Sequence, residues 1–388
     1  MLKKIPYGKH YIDHDDIKSV IRALKSNNLT QGPLVEEYEE KFANYVGAKY
    51  AVAVSSCSAG LHISSIALGL SRNDKFVTSP ITFISTVSAG LHLDAKPIFC
   101  DIDKDTINIS IEKLEETLKK NKIKLLIPVH FAGLPCEMHE IKKLSNKYGF
   151  KILEDAAHAL GSSYPNKKKV GSCCYSDLCV FSTHPVKTIA TAEGGMITTN
   201  NKFLYQRLLR LRSHGINKNN DKFIDQNQAY TNKKRNLWYY EMRELGFHYR
   251  LNDIQSALGI SQISKIKKFI KSRDTIVKKY RKNISQEIGL PSQPYYKYSS
   301  NHLFVLNLNL DLLSKKKNEI MISLRKKNII TQVHYIPIPF HPYFKRLGYN
   351  TKNLGNAVSY FNSAISLPCY FSLKEKEQTY VIDILNNL

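Results

Sequence analysis

One lysine just past an apolar run and one aspartate closing another suit, as a pair, a definite chemistry. Lys187 follows the run ending at Phe181, within Phe181-Ser-Thr-His-Pro-Val-Lys-Thr-Ile-Ala-Thr-Ala-Glu-Gly-Gly195. Asp155 closes the run Lys151-Ile-Leu-Glu-Asp155. A lysine held at the end of a core strand forms a Schiff base with a carbonyl, and a carboxylate beside it keeps a pyridinium nitrogen protonated. Pyridoxal 5'-phosphate needs those two groups from its protein. Glu154 and Asp155 also sit where solvation is poor, so at least one of them needs a partner, because an unpaired buried charge is costly. His158, three residues past Asp155 and read as lying near a helix start, reaches the same ring face.

Two further segments fit such a site. In Val54-Ser-Ser-Cys-Ser-Ala-Gly-Leu-His62 an apolar run gives way to small residues and then to a helical pattern. Ser58 suits the N-cap of that helix, and the free N–H groups there attract an anion. In Ser79-Pro-Ile-Thr-Phe-Ile-Ser-Thr86, Phe83 lies at a strand-to-helix junction, where an aromatic ring stacks on a flat cofactor. Ser182 is placed to hydrogen-bond a phosphate. Taken singly, each segment has an ordinary reading: a capped helix, a core aromatic, a solvated lysine.

These groups need a sheet to hold them. Short apolar runs alternate with helical patterns through the first two-thirds of the chain, which predicts a parallel α/β sheet. The expected strands are Tyr50–Val54, Lys75–Thr78, Pro97–Asp101, Lys124–Val129, Lys151–Glu154, Leu178–Phe181 and Gly195–Thr199. Helical stretches run Ala59–Leu70, Ile111–Lys120 and Met138–Lys147. Ligands of such sheets bind outside the C-terminal strand ends. Asn217–Arg235 reads as a polar exposed loop, and Asp253–Ser285 as one long amphipathic pattern. The chain is therefore expected to be α/β with a mostly parallel central sheet in a large domain, residues 1–250, and a smaller α+β domain, residues 251–388.

The 388 residues suffice for a large core, and 43% hydrophobic with 23% charged residues is ordinary for a soluble protein. No run has the length of a membrane span, and the first residues lack the apolar stretch of a signal peptide. A cytoplasmic enzyme is the expectation. The seven cysteines include no Cys-x-x-Cys spacing and read as reduced thiols, with no metal site. The net charge of +24 raises nucleic acid as a partner. The basic residues spread along the chain without an arginine-rich arm or helix-turn-helix pattern, which favours ordinary surface lysines and argues against DNA binding or a non-catalytic sensor.

Together the motifs resemble the sugar-nucleotide aminotransferases of the DegT–StrS family, of the aspartate aminotransferase-like fold type I. The resemblance runs from Tyr7 to about Leu385. Its pieces are Leu29-Thr-Gln-Gly-Pro33, Ser56–His62, Glu154–Gly161, Ser182–Gly195 and Arg250-Leu-Asn-Asp-Ile-Gln-Ser-Ala-Leu-Gly259. The strongest likeness is to the pseudaminic acid branch, carried by Ile127–Gly133, Trp238–Met242, Val333–Pro337 and Ile365–Pro368. It implies amination at C4 of a UDP-linked 4-keto-6-deoxy N-acetyl sugar with glutamate; amination at C3, or a dTDP- or GDP-linked sugar, stays open. A related lyase branch carries histidine in place of the lysine, and Lys187 argues against it.

The resemblance further implies residue roles. Cys57, Ser58 and Ser182 lie at the cofactor phosphate, Phe83 stacks, Asp155 faces the pyridine nitrogen with His158 nearby, and Lys187 is the Schiff-base lysine. The substrate site draws on segment 1–35, and its candidates are Tyr7, Thr30, His184, Trp238, Arg250, Tyr335 and Tyr343. A homodimer with shared sites is implied, in which the position of His248 points to the partner's cofactor phosphate, where His248 either donates the hydrogen bond of the family's asparagine or leaves that contact unmade. Three positions depart from the family pattern: Cys57 stands for a glycine, Thr183 for an aromatic, and His248 for an asparagine.

Overall fold

The structure, a computed structural model, describes residues 4–218 and 223–388. Its centre is a seven-stranded sheet of β1 (Tyr50–Val54), β2 (Lys75–Thr78), β3 (Lys96–Phe99), β4 (Leu125–Ile127), β5 (Lys151–Asp155), β6 (Leu178–Ser182) and β7 (Gly195–Thr199). The spatial order is β1-β7-β6-β5-β4-β2-β3. The pairs from β6 through β3 are parallel, whereas β7 runs antiparallel to both its neighbours. A parallel neighbour needs a long crossover, usually helical. Between β6 and β7 the chain has only the lysine loop, and it turns back.

Period-two alternation sorts the strand residues onto two faces. Leu126, Ile152 and Phe181 pack with Phe42, Tyr38 and Ile141, on the side of α2 (Pro33–Val46) and α6 (Met138–Tyr148). Leu125, Leu153, Val180 and Ile197 pack with Leu61, Leu204 and Leu208, on the side of α3 (Cys57–Ala67) and α7 (Lys202–Leu211). Covering both faces explains the continuous apolar runs.

The expected amphipathic stretch Asp253–Ser285 is two helices, Asp253–Ser264 and Ile266–Asn283, interrupted at Lys265. Lys265 is drawn into ion pairs with Asp13 and Asp16 (2.9 Å to the latter), which tie this break to the first helix, His14–Leu24. A three-stranded antiparallel sheet, Gly289–Pro291, Phe304–Leu308 and Ala364–Leu367, packs against Ile276, Val277 and Tyr280 of the second helix and Val381 and Leu385 of the last. Within the predicted loop Asn217–Arg235, residues 219–222 lie outside the described residues. The rest holds a helical turn, Gln226–Ala229, and a two-stranded pair, Tyr230–Thr231 with Lys234–Arg235.

Two of the sequence motifs meet in space. Asp253, fully buried, accepts from the N–H groups of Gly32 (2.9 Å) and Leu34 (3.2 Å), so it caps α2 in place of a local side chain. A Cβ on Gly32 would lie 2.5 Å from Asp253 Oδ1. Residues 5–11 then cross the molecule. Ile5 bridges to Ile329, Tyr7 O accepts from Cys369 N–H (3.0 Å), and Tyr11 O accepts from the Gln262 amide (2.9 Å).

Candidate active site

The C-terminal ends of β4, β5 and β6 and the start of β7 open onto one cavity of about 470 Å³. Val129, Asp155, Ser182 and Gly194 line it from the sheet, and Tyr7, His302 and the stretch Gln332–Ile336 close it from the other side. Among the described residues Lys187, Asp155, Cys57, Ser58, Phe83, His158, Ser182, His184, Tyr7 and Tyr335 all reach its wall. Thr30, Trp238, Arg250, Tyr343 and His248 do not. Thr30, Trp238, Tyr343 and His248 are exposed, and Arg250 is bridged to Val54 at the end of β1.

The two carboxylates at the end of β5 point to opposite faces. Glu154, fully buried, takes hydrogen bonds from His130 Nε2 (2.7 Å), Tyr164 (2.5 Å) and Ser176. His130 Nδ1 accepts from Cys136 N–H (3.1 Å), so Nε2 carries the proton that Glu154 receives. Asp155 faces the cavity. Its Oδ2 accepts from the Thr86 hydroxyl (2.7 Å) and its Oδ1 from Ala157 N–H (3.1 Å). Thr86 stands in α4 (Ile84–Leu91), and its oxygen is 2.7 Å from the Thr82 hydroxyl. No cationic side chain among the described residues pairs with Asp155, so a buried carboxylate faces open space with only neutral donors.

Lys187 lines the same cavity and is partly accessible. Burial holds its ammonium down to about 8, against the opposing pull of Cys57 and Asp155, with Arg273 reinforcing burial. Around it stand three histidines kept uncharged by burial. His158 and His302 are well below the usual range, and His334 is down to about 3, each pushed further by the Lys187 charge. His158 Nε2 lies 3.0 Å from the Tyr335 hydroxyl, while its buried Nδ1 has no hydrogen-bond partner in the described residues. The expected helix start at His158 is instead an irregular turn after β5.

The helix cap is corrected. Ser56, not Ser58, is the N-cap of α3, and its hydroxyl accepts from Ala59 N–H at 3.1 Å. The Ser58 side chain is exposed in the first turn and lines the cavity. Helix-start N–H groups have no partner within the helix, so this end presents donors to the cavity. A Cβ on Gly195 would come within 2.7 Å of Cys57 N and the Ser56 carbonyl, which explains the glycine at the start of β7. Cys57 begins the helix, buried, its thiol pushed well up by burial and by Asp155. Phe83 is 58% exposed on the cavity wall, not a core residue.

This set fits pyridoxal phosphate. An amine and an unpaired carboxylate share one cavity, an unpartnered His158 nitrogen lies close by, and a helix N-terminus with Ser58 and Ser182 suits the phosphate. Thr86, Thr82, His302 and His334 join the site without a sequence signature of their own. Thr86 and Thr82 fall inside the quoted Ser79–Thr86 run and His334 beside Tyr335, but side-chain polarity alone does not mark them.

A mixed sheet of this topology, with lysine and carboxylate at its strand ends, defines a fold type I, aspartate aminotransferase-like protein. The chain belongs to the DegT/DnrJ/EryC1/StrS aminotransferase family, whose profile matches residues 10–386. It is 38% identical over 385 residues to the UDP-4-amino-4,6-dideoxy-N-acetyl-beta-L-altrosamine transaminase of Campylobacter jejuni (serotype O:23/36), covering 98% of this chain and 96% of that one. Its fold matches Helicobacter pylori PseC, an aminotransferase involved in the biosynthesis of pseudoaminic acid, with TM-score 0.89 and 31% identity over 99% of both chains. It likewise matches the PLP form of Spr1654 from Streptococcus pneumoniae, with TM-score 0.86 and 25% identity over 99% of this chain and 98% of that one.

Proposed function

We propose that the protein aminates C4 of a UDP-linked 4-keto-6-deoxy N-acetyl hexose, with glutamate as donor and pyridoxal phosphate as cofactor. The reading rests on Lys187 and Asp155 facing one cavity, and the similarity to the Campylobacter and Helicobacter proteins supports the substrate class. When bound, pyridoxal phosphate supplies a carbonyl that takes up the amino group and a ring that withdraws electrons from the carbon losing its proton.

The protein's part is to hold, orient and move protons. Lys187 Nζ would be the covalent anchor and, once freed, would take the proton from the donor Cα and deliver it to the former carbonyl carbon of the cofactor, on the far side of the nitrogen. An amine whose proton affinity is lowered to about 8 is partly free near neutral pH, as a general base requires. Asp155 would face the ring nitrogen, its Oδ2 and Oδ1 fixed in orientation by the bonds from Thr86 and Ala157. Phe83 would cover one ring face, and Ser58, Ser182 and the backbone at Cys57 would hold the phosphate. Tyr7, His184 and Tyr335 are placed for the sugar.

Thr30, Trp238, Arg250 and Tyr343 lie outside the cavity of one chain, and we assign them to the nucleotide end or to a shared site in a homodimer. In that dimer His248 of the partner subunit would meet the phosphate, consistent with its exposure here. No helix of the described residues is long and apolar enough to cross a membrane, and all seven cysteines are free; a cytoplasmic enzyme is the reading these support. The deciding experiment is incubation of purified enzyme with glutamate and a panel of UDP-, dTDP- and GDP-linked keto sugars, with products assigned by NMR. A 4-amino UDP sugar and 2-oxoglutarate are expected; turnover restricted to a 3-keto sugar, or to another nucleotide, would replace the substrate named here.

A further inference from the structure

The loop carrying Lys187 is tied at its base by two buried threonines. Thr183 N–H donates to Gly194 O (3.0 Å), and Thr191 N–H donates to Thr183 O (2.9 Å). The two hydroxyl oxygens lie 2.5 Å apart. The Thr191 hydroxyl donates to Glu193 O (2.9 Å), so the bond between the side chains runs from the Thr183 hydroxyl to Thr191 Oγ1. Thr183 is 1% exposed and Thr191 not at all. A Cβ on Gly194 would lie 2.4 Å from both hydroxyls, so no larger residue fits beside them. Farther along the loop, Lys187 N–H turns back to His184 O (2.8 Å), and Ala190 N–H reaches the buried Gln262 amide oxygen (3.3 Å).

Lys187 stands midway between the two threonines. A lysine that anchors a cofactor and later acts as a free base has to bring Nζ back to the same point, and a shift of about 1 Å in such a group is costly. We propose that the Thr183–Thr191 hydroxyl clasp is the positioning device for Lys187, fixing the base of its loop so that the side chain alone moves. This rests on Lys187 being the reactive lysine. The Thr183 hydroxyl is thus engaged at the base of the loop rather than idle in the core.

The test uses the full-length protein, with and without pyridoxal phosphate, as Thr183→Val, Thr183→Ser and Thr191→Val. Loss of a buried hydroxyl bond is expected to speed hydrogen exchange of residues 184–190 by roughly fivefold in both valine variants, with β5 and β6 unchanged. Turnover should fall by a similar factor at unchanged KM for the keto sugar, and Thr183→Ser should restore both. Unchanged exchange in the loop overturns the proposal. So does faster exchange across the whole sheet that serine does not correct. Should Thr183→Val not fold, Thr191→Val removes the acceptor of the same bond and decides the matter. An inactive wild type would sink the aminotransferase reading, while the exchange measurement would still report on the clasp.

Discussion

The Thr86 hydroxyl donates to Asp155 Oδ2 across 2.7 Å, which commits its one proton and leaves its oxygen to accept from Thr82. The result is a one-way hydroxyl chain ending on the carboxylate that faces the cavity. Bonds to charged groups are worth about 1.5–3 kcal/mol, so Thr86→Val should weaken cofactor binding by roughly 10-fold or more, with Thr86→Ser close to wild type. Cofactor titration by absorbance measures it. Equal affinity in the valine variant would mean that Ala157 N–H alone suffices.

Lys187→Ala should abolish the near-visible absorbance band of the bound cofactor and all turnover. Asp155→Asn keeps the shape and removes the charge. It should retain the band and lose about 100-fold or more in rate, since a ring nitrogen without its counter-charge is a poorer electron sink. An active Lys187→Ala variant would falsify the lysine assignment.

The first turn of α3 separates two serines by role. Ser56→Ala removes the N-cap and should cost about 1 kcal/mol of stability, read as a lowered unfolding midpoint. Ser58→Ala should leave that midpoint within error and weaken phosphate binding instead. The opposite pattern would return the cap to Ser58.

Burial holds Lys187 down to about 8 from 10.5, so between those values the unfolded chain binds a proton that the folded chain lacks. Stability of the cofactor-free protein therefore rises with pH across this window, and below it the folded state carries the full cost of a desolvated ammonium. Lys187→Met removes that cost. Its melting temperature should exceed wild type by on the order of 2 °C at pH 7, with the gain shrinking toward pH 10. A gain independent of pH would assign the effect to packing.

The sheet was readable because its strands are buried on both faces and so write themselves as apolar runs; Tyr50–Val54, Lys75–Thr78 and Gly195–Thr199 agree to the residue. The reversal of β7 was not readable from apolarity, which carries no strand direction. Asp155 is conspicuous as a charged residue closing a core strand, and Lys187 as a lysine a few residues past the end of another, flanked by a Glu-Gly-Gly turn. Thr86, His302 and His334 are polar residues on elements remote in sequence, and only the folded chain brings Thr86 to Asp155 and the two histidines to His158. The break at Lys265 has no local signature for a related reason: helical spacing continues through it, and the ion pairs that engage Lys265 there come from Asp13 and Asp16, far away in the chain.

The pairing of β1 with β7 joins Tyr50 to Thr199, and Lys187 hangs between two strands that depend on that pairing. During synthesis β1 therefore waits, without its partner strand β7, until the ribosome has released a segment made long afterwards. The cavity wall then awaits still later residues, Gln332–Tyr335. Contacts this distant form slowly. The colour of the bound cofactor would thus mark the end of folding, and its appearance in refolding or cell-free translation would time completion of the chain's last-built wall.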